Sequence, residues 1–193
     1  MKSVAVFCAS GLGNDPCYAE AARETGAGLA KEGLRMVYGG SKIGLMGAAA
    51  DGALEAGGEV IGVLPHFMSL KEIAHEGLTS LIMTDSMQER KLKMHELSDA
   101  VIALPGGFGT FEELFEMLTW GQLGLHRKPM GLLNVKGYYD HLERMLDHMS
   151  AEGLLKPDYR KMLLIADRLP DLLALMRNYW PPIPAVRMRR DEA

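Results

Sequence analysis

The chain has 193 residues, 48% of them hydrophobic and 24% charged, with a formal net charge of −4. That length suits one domain with a sizeable core, and the charge excludes a general nucleic-acid binder. No apolar run reaches the roughly 20 residues that cross a bilayer. The two cysteines, Cys8 and Cys17, make no disulfide framework, so a cytoplasmic protein with no membrane partner is expected.

Short apolar runs alternate with longer amphipathic stretches along the chain. Residues 4–8 read as a first strand entering a glycine turn, not as a signal peptide. A helix over 16–32 follows, with Asp15 as N-cap and Pro16 at its first position. Then come a strand at 35–38, a helix at 44–56 and strands at 60–64 and 78–83. Ser86-Met87-Gln88-Glu89 is a capping box that opens a helix over 87–97. Strand 100–104, helix 111–123, strand 131–135, helix 138–152, strand 162–165 and helix 171–179 complete the pattern. The strands are nearly continuous in apolarity, which suits burial on both faces. The expected fold is α/β: a Rossmann-like open, mostly parallel sheet of about seven strands with helices on both faces. Residues 1–180 form a single nucleotide-binding domain in this reading. Residues 181–193, with three prolines and mixed charges, form an extended or disordered tail.

Ligands of such sheets bind at the carboxyl ends of the strands. Three of those ends are glycine-rich here: residues 9–13, 39–47 and 105–110. Glycine lets backbone approach a ligand closely, and a following helix offers unpaired N–H groups to a phosphate. Pro105-Gly106-Gly107-Phe108-Gly109-Thr110 lacks the Lys-Ser/Thr ending of a P-loop and the spacing of a dinucleotide site. Gly11-Leu12-Gly13 begins the dinucleotide pattern, but no third glycine completes it. ATP hydrolysis and NAD chemistry are therefore set aside, and no cofactor is expected.

Glu113 stands three residues after Thr110. By spacing alone, a Thr110–Glu113 capping box is the favoured reading; the alternative is a carboxylate beside a phosphate loop. Glu112 and Glu116 look like a solvated acidic face. Arg90 shares a helix face with Met87, Met94 and Leu97, so it interrupts an apolar stripe. A buried arginine needs an anionic partner, either a core carboxylate, a ligand phosphate or a catalytic carboxylate. Lys91 reads as a surface lysine, and Cys8 as a small buried hydrophobe. The six histidines show no metal-ligand spacing; His66, His75, His95 and His126 read as surface or loop residues, and no metal is expected.

Arg90-Lys91 followed by Pro105-Gly106-Gly107-Phe108-Gly109-Thr110-Phe111-Glu112-Glu113 resembles the R-K…P-G-G-x-G-T-x-x-E signature of the LONELY GUY family, the cytokinin riboside 5′-monophosphate phosphoribohydrolases. The resemblance spans roughly residues 3–179 and includes Tyr38-Gly39-Gly40, Gly44-Leu45-Met46-Gly47 and Leu132-Leu133-Asn134-Val135. It departs from the family's C-G-S-S at Cys8-Ala9-Ser10-Gly11, and from G-G-G at Gly39-Gly40-Ser41. Members have been labelled lysine decarboxylases, but nothing in this sequence suggests a pyridoxal phosphate site.

The resemblance implies hydrolysis of the N-glycosidic bond of adenosine-type nucleoside 5′-monophosphates, releasing free base and ribose 5-phosphate. It makes Arg90 and Glu113 the catalytic pair. It makes Gly106, Gly107, Phe108, Gly109 and Thr110 the phosphate loop, and Glu72, Lys91, Phe111, Glu112 and Thr119 further substrate contacts. It also implies a homodimer with the active site close to the subunit interface. Whether Arg90 aids departure of the base or fixes Glu113 stays open at this point. The alternative function is a non-catalytic nucleotide or cofactor carrier on the same fold, against which the joint presence of Arg90 and Glu113 argues.

Overall fold

The computed structural model describes residues 1–69 and 73–183. Seven strands form one sheet: β1 (Ser3–Phe7), β2 (Arg35–Tyr38), β3 (Val60–Pro65), β4 (Ser80–Thr84), β5 (Ala100–Ala103), β6 (Met130–Leu133) and β7 (Leu163–Ala166). All pairings are parallel, in the order β4-β3-β2-β1-β5-β6-β7. The chain works outward from β1 to β4, then crosses back to place β5 on the other side of β1. That reversal opens a crevice between the ends of β1 and β5, where an open α/β sheet binds its ligand.

The helices are α1 (Pro16–Lys31), α2 (Gly44–Glu55), α3 (His66–Ser69), α4 (Met87–Leu97), α5 (Phe108–Gln122), α6 (Asp140–Ala151), α7 (Pro157–Arg160) and α8 (Leu169–Arg177). Side chains alternate across the sheet, as the two-residue period of a strand requires. Val4 and Val6 join one core with Leu29 of α1, Leu45 and Ala49 of α2, and Leu172 of α8. Ala5 and Phe7 join the other with Met94 of α4, Leu114 and Met117 of α5, and Leu146 of α6. Both faces are thus covered, which explains why the strands read as unbroken apolar runs.

Two caps match their sequence signals. Asp15 accepts from the Cys17 N–H at 3.0 Å, with proline following in the first turn of α1. Ser86 accepts from the Glu89 N–H at 3.1 Å, while the Glu89 carboxylate reaches back to the Asp85 N–H at 2.8 Å. Other expectations need correction. The fourth strand starts at Ser80 rather than 78, because the Thr79 hydroxyl is already engaged by the Val60 N–H at 3.0 Å. A 3-10 turn at Val135–Gly137 delays α6 to Asp140. His95 and His126 are buried, not superficial: their rings lie 5.1 Å apart, and His95 sits edge-on to Trp120 at 5.4 Å. Of the expected tail, residues 181–183 carry no regular structure, and 184–193 lie outside the described residues.

Candidate active site

A cleft of about 430 Å³ opens over the carboxyl ends of β1, β2 and β5. Residues 6–11 line one wall, Gly107–Thr110 another, and Gly39, Met46, Met68, Arg90 and Glu113 complete it. The glycines build this wall by close approach. Gly44 has φ +64°, and a Cβ there would meet the Ser10 carbonyl carbon at 2.2 Å. Leu45 then donates its N–H to the Ala9 carbonyl at 3.1 Å, tying α2 to the β1 turn.

The phosphate-loop candidates form the start of α5. The helix begins at Phe108 with Gly107 as N-cap, and no side chain caps it. The capping box expected between Thr110 and Glu113 is therefore absent, because both residues already lie inside the helix. Thr110 is buried in the first turn and Glu113 sits one turn further in. The first N–H groups of α5 have no carbonyl one turn back to bond, and they belong to residues that line the cleft, at the positive end of the helix dipole.

Glu113 is bonded to Arg90 instead. The Arg90 Nη1 donates to Glu113 Oε1 at 2.7 Å, and Nε donates to the Val63 carbonyl at 3.0 Å. Both side chains are nearly buried, at 8% and 12% exposure. This is the anionic partner that the interrupted apolar stripe on α4 required. Burial holds the Glu113 carboxyl above the ordinary value of 4.5, although Arg90 pulls it down. Cys8, expected as a buried hydrophobe, lies on the cleft wall partly covered. Burial pushes its thiol up, Glu113 adds to that and Arg90 opposes it, so the sulfur stays protonated and is no thiolate nucleophile.

Gly39 makes room for the arginine: a Cβ there would meet Arg90 Nη2 at 2.0 Å. Gly39→Ala is expected to displace the guanidinium and lower turnover by about 10-fold or more, as misplacement of an active-site group does. Turnover with the melting temperature checks this, and an unchanged rate would show that Arg90 tolerates displacement.

The remaining candidates are less central. Lys91 is no free surface lysine: its side chain is 12% exposed and its ammonium pairs with Glu112 and with Glu116, the latter at 3.0 Å. Those two carboxylates are thus partnered rather than simply solvated. Phe111 turns toward the core, edge-on to Tyr139 at 5.9 Å. Gly106 lies behind the wall, its carbonyl accepting from the Tyr138 hydroxyl at 2.7 Å. Thr119 sits far along α5 in a separate groove with Leu118 and Met149, its hydroxyl donating to the Phe115 carbonyl at 2.7 Å. Glu72 lies outside the described residues. Met68 and Tyr138 were not singled out by sequence, and Met46 only within Gly44-Leu45-Met46-Gly47; for Tyr138 the Asn134-Val135 run with its following tyrosines was the available signal. Among the described residues, no group of three His, Cys, Asp or Glu side chains could hold a metal ion, and no helix is long and apolar enough to cross a membrane.

A family model described as possible lysine decarboxylase matches residues 46–176. A cytokinin riboside 5′-monophosphate phosphoribohydrolase of Rhodococcoides fascians is 45% identical over 178 residues, covering 92% of this chain and 90% of that protein. The chain belongs to this phosphoribohydrolase family. A probable member from Oryza sativa subsp. japonica is 45% identical over 176 residues, covering 91% of this chain and 79% of its own length. Among solved structures, the molybdenum cofactor carrier protein of Chlamydomonas reinhardtii superposes with a TM-score of 0.67 at 22% identity, over 92% of this chain and 96% of its own. That likeness concerns the Rossmann-like fold. In this chain the buried Arg90–Glu113 pair stands beside a helix start with no side-chain cap.

Proposed function

We propose that this protein hydrolyses the N-glycosidic bond of adenosine-type nucleoside 5′-monophosphates, giving the free base and ribose 5-phosphate. The observation that carries the reading is the buried Arg90–Glu113 pair beside the open N-terminus of α5. The helix start binds the 5′-phosphate through Gly107–Thr110 and so supplies remote binding energy that holds the sugar in place. The C1′–N9 bond then breaks with its electron pair leaving on the base, which takes up a proton. A water oxygen bonds to C1′ and loses its proton. Positive charge gathers on the ribose as the bond lengthens, and the Glu113 carboxylate offsets it and accepts the water proton. Arg90 is anchored on the Val63 carbonyl and holds the Glu113 carboxylate. That geometry favours a positioning role for Arg90 over a role at the departing base.

Purified protein given AMP is expected to release adenine and ribose 5-phosphate, while adenosine reacts poorly. Base release followed by chromatography checks this, and equal rates on both substrates would remove the phosphate from the reading. A carrier function predicts tight AMP binding with no base release.

The reading includes a cytoplasmic homodimer. Thr119 is remote from its own cleft, and an interface along α5 would bring it to the junction with a neighbouring subunit. Sedimentation is expected at twice the chain mass of 21.2 kDa; a monomer mass at micromolar concentration would contradict the assembly.

A further inference from the structure

Three successive carbonyls of the loop after β5 each receive a donor from outside the loop. The Tyr139 hydroxyl donates to Leu104 O at 2.6 Å, the Ala9 N–H to Pro105 O at 3.1 Å and the Tyr138 hydroxyl to Gly106 O at 2.7 Å. In a trans peptide the N–H points opposite to its C=O, and the described chain has no cis bond. Holding Gly106 O therefore turns the N–H of Gly107 the other way. Gly107 lines the cleft and is the N-cap of α5.

The tyrosine is itself carefully placed. Lys136 takes φ +54°, a left-handed conformation that a residue with a Cβ adopts at a cost, and such strain persists where the surroundings demand it. Its ammonium pairs with Asp15, the N-cap of α1. Asn134 accepts from the Tyr139 N–H at 2.7 Å and donates to Asp140 at 2.8 Å, closing the turn. The Tyr138 ring then stands edge-on to Tyr18 at 5.8 Å and to Tyr139 at 5.0 Å. The two residues differ in setting: Tyr139 is 1% exposed, whereas Tyr138 is 38% exposed.

We propose that Tyr138 is a positioning residue for phosphate binding, acting through the Gly106–Gly107 peptide to aim the Gly107 N–H into the cleft. This rests on the reading of the loop as a phosphate site. Tyr138 touches no reacting atom. Its hydrogen bond to Gly106 O is only partly buried and the residue is well exposed, so loss of the hydroxyl leaves the fold intact. What changes is the orientation of one N–H that donates to an anion. Tyr139 serves the fold instead, because its removal strands a buried carbonyl.

The test compares Tyr138→Phe, Tyr139→Phe and Thr110→Ala with the unaltered protein. Tyr138→Phe is expected to weaken binding of ribose 5-phosphate and raise KM for AMP by about 10-fold, the scale of one charge-assisted hydrogen bond. Turnover at saturating AMP and the melting temperature stay near those of the unaltered protein, and the weak reaction with adenosine, which lacks the phosphate, is unchanged. Tyr139→Phe lowers the melting temperature. If Thr110→Ala weakens ribose 5-phosphate binding and Tyr138→Phe does not, the loop binds phosphate and the role of Tyr138 is overturned. If Tyr138→Phe impairs AMP and adenosine equally, or unfolds the protein, it is a structural residue and the proposal fails. If ribose 5-phosphate binds all variants and the unaltered protein with the same affinity, the phosphate-loop reading fails and takes this one with it.

Discussion

Glu113→Gln is expected to lower turnover on AMP by roughly 10²-fold or more, the scale of losing a general base or charge stabiliser. The amide has nearly the volume of the carboxyl and keeps an oxygen for the Arg90 Nη1, so the packing at the floor of the cleft survives. It carries no charge to set against a ribose cation, and it accepts no proton from water. Affinity for AMP should hold, because Gly107–Thr110 are untouched. Thr110→Ala makes the opposite contrast, weakening phosphate binding more than turnover. It removes no helix cap, since Thr110 lies inside α5. Turnover, AMP affinity and melting temperature of both variants decide the matter. Near-normal turnover in Glu113→Gln would remove Glu113 from catalysis and restore the carrier function.

That substitution bears on what the sequence could and could not reveal. A Thr followed three residues later by Glu is the same string whether it caps a helix or lies within one. The difference is where α5 begins, and the glycines of Gly106-Gly107-Phe108-Gly109 read as loop. The helix takes in Phe108 and Gly109, starting directly behind the sheet edge where Leu104 donates to the Phe7 carbonyl and Ala9 to the Pro105 carbonyl. Arg90 was legible because a charge in an apolar stripe demands a counterion, and burial decided the rest. Lys91 was not, since its partners Glu112 and Glu116 sit on α5, 21 and 25 residues away, where no local period reports them. The strands were legible from their unbroken apolarity. The one-turn helices α3 and α7, four residues each, are too short to show a period at all. Gly39 was visible as part of a glycine-rich strand end, but its fit to the guanidinium is a tertiary fact.

Arg90→Met should change both the pH dependence of the reaction and that of folding. In the unaltered protein, burial already holds Glu113 above 4.5 with Arg90 pulling it back. Removing the guanidinium leaves burial unopposed by this cation, so the carboxyl rises further. In the proposed reaction the carboxylate is the working form, so the acidic limb of kcat/KM should move to higher pH and the rate at neutral pH should fall. Stability follows the same proton. A carboxyl whose folded-state value lies above its unfolded one binds its proton more tightly in the folded chain. Its contribution is therefore fully present below 4.5 and is lost as pH rises through the folded value. In Arg90→Met that window extends to higher pH and the loss deepens, because an ionised Glu113 is then buried without its partner. Breaking a buried pair in this way costs about 3–5 kcal/mol where the remaining group is charged. The variant should thus lose most stability in alkaline buffer and recover part of it on acidification, as the carboxyl becomes neutral. Arg90→Lys should fall between, since one ammonium replaces two separate donors to Val63 O and Glu113 Oε1. The measurements are pH–rate profiles and melting temperatures from acidic through alkaline buffer. An acidic limb that stays in place in Arg90→Met would mean that the titrating group is not Glu113, and the pair would then be an ion pair of the core rather than the centre of the reaction.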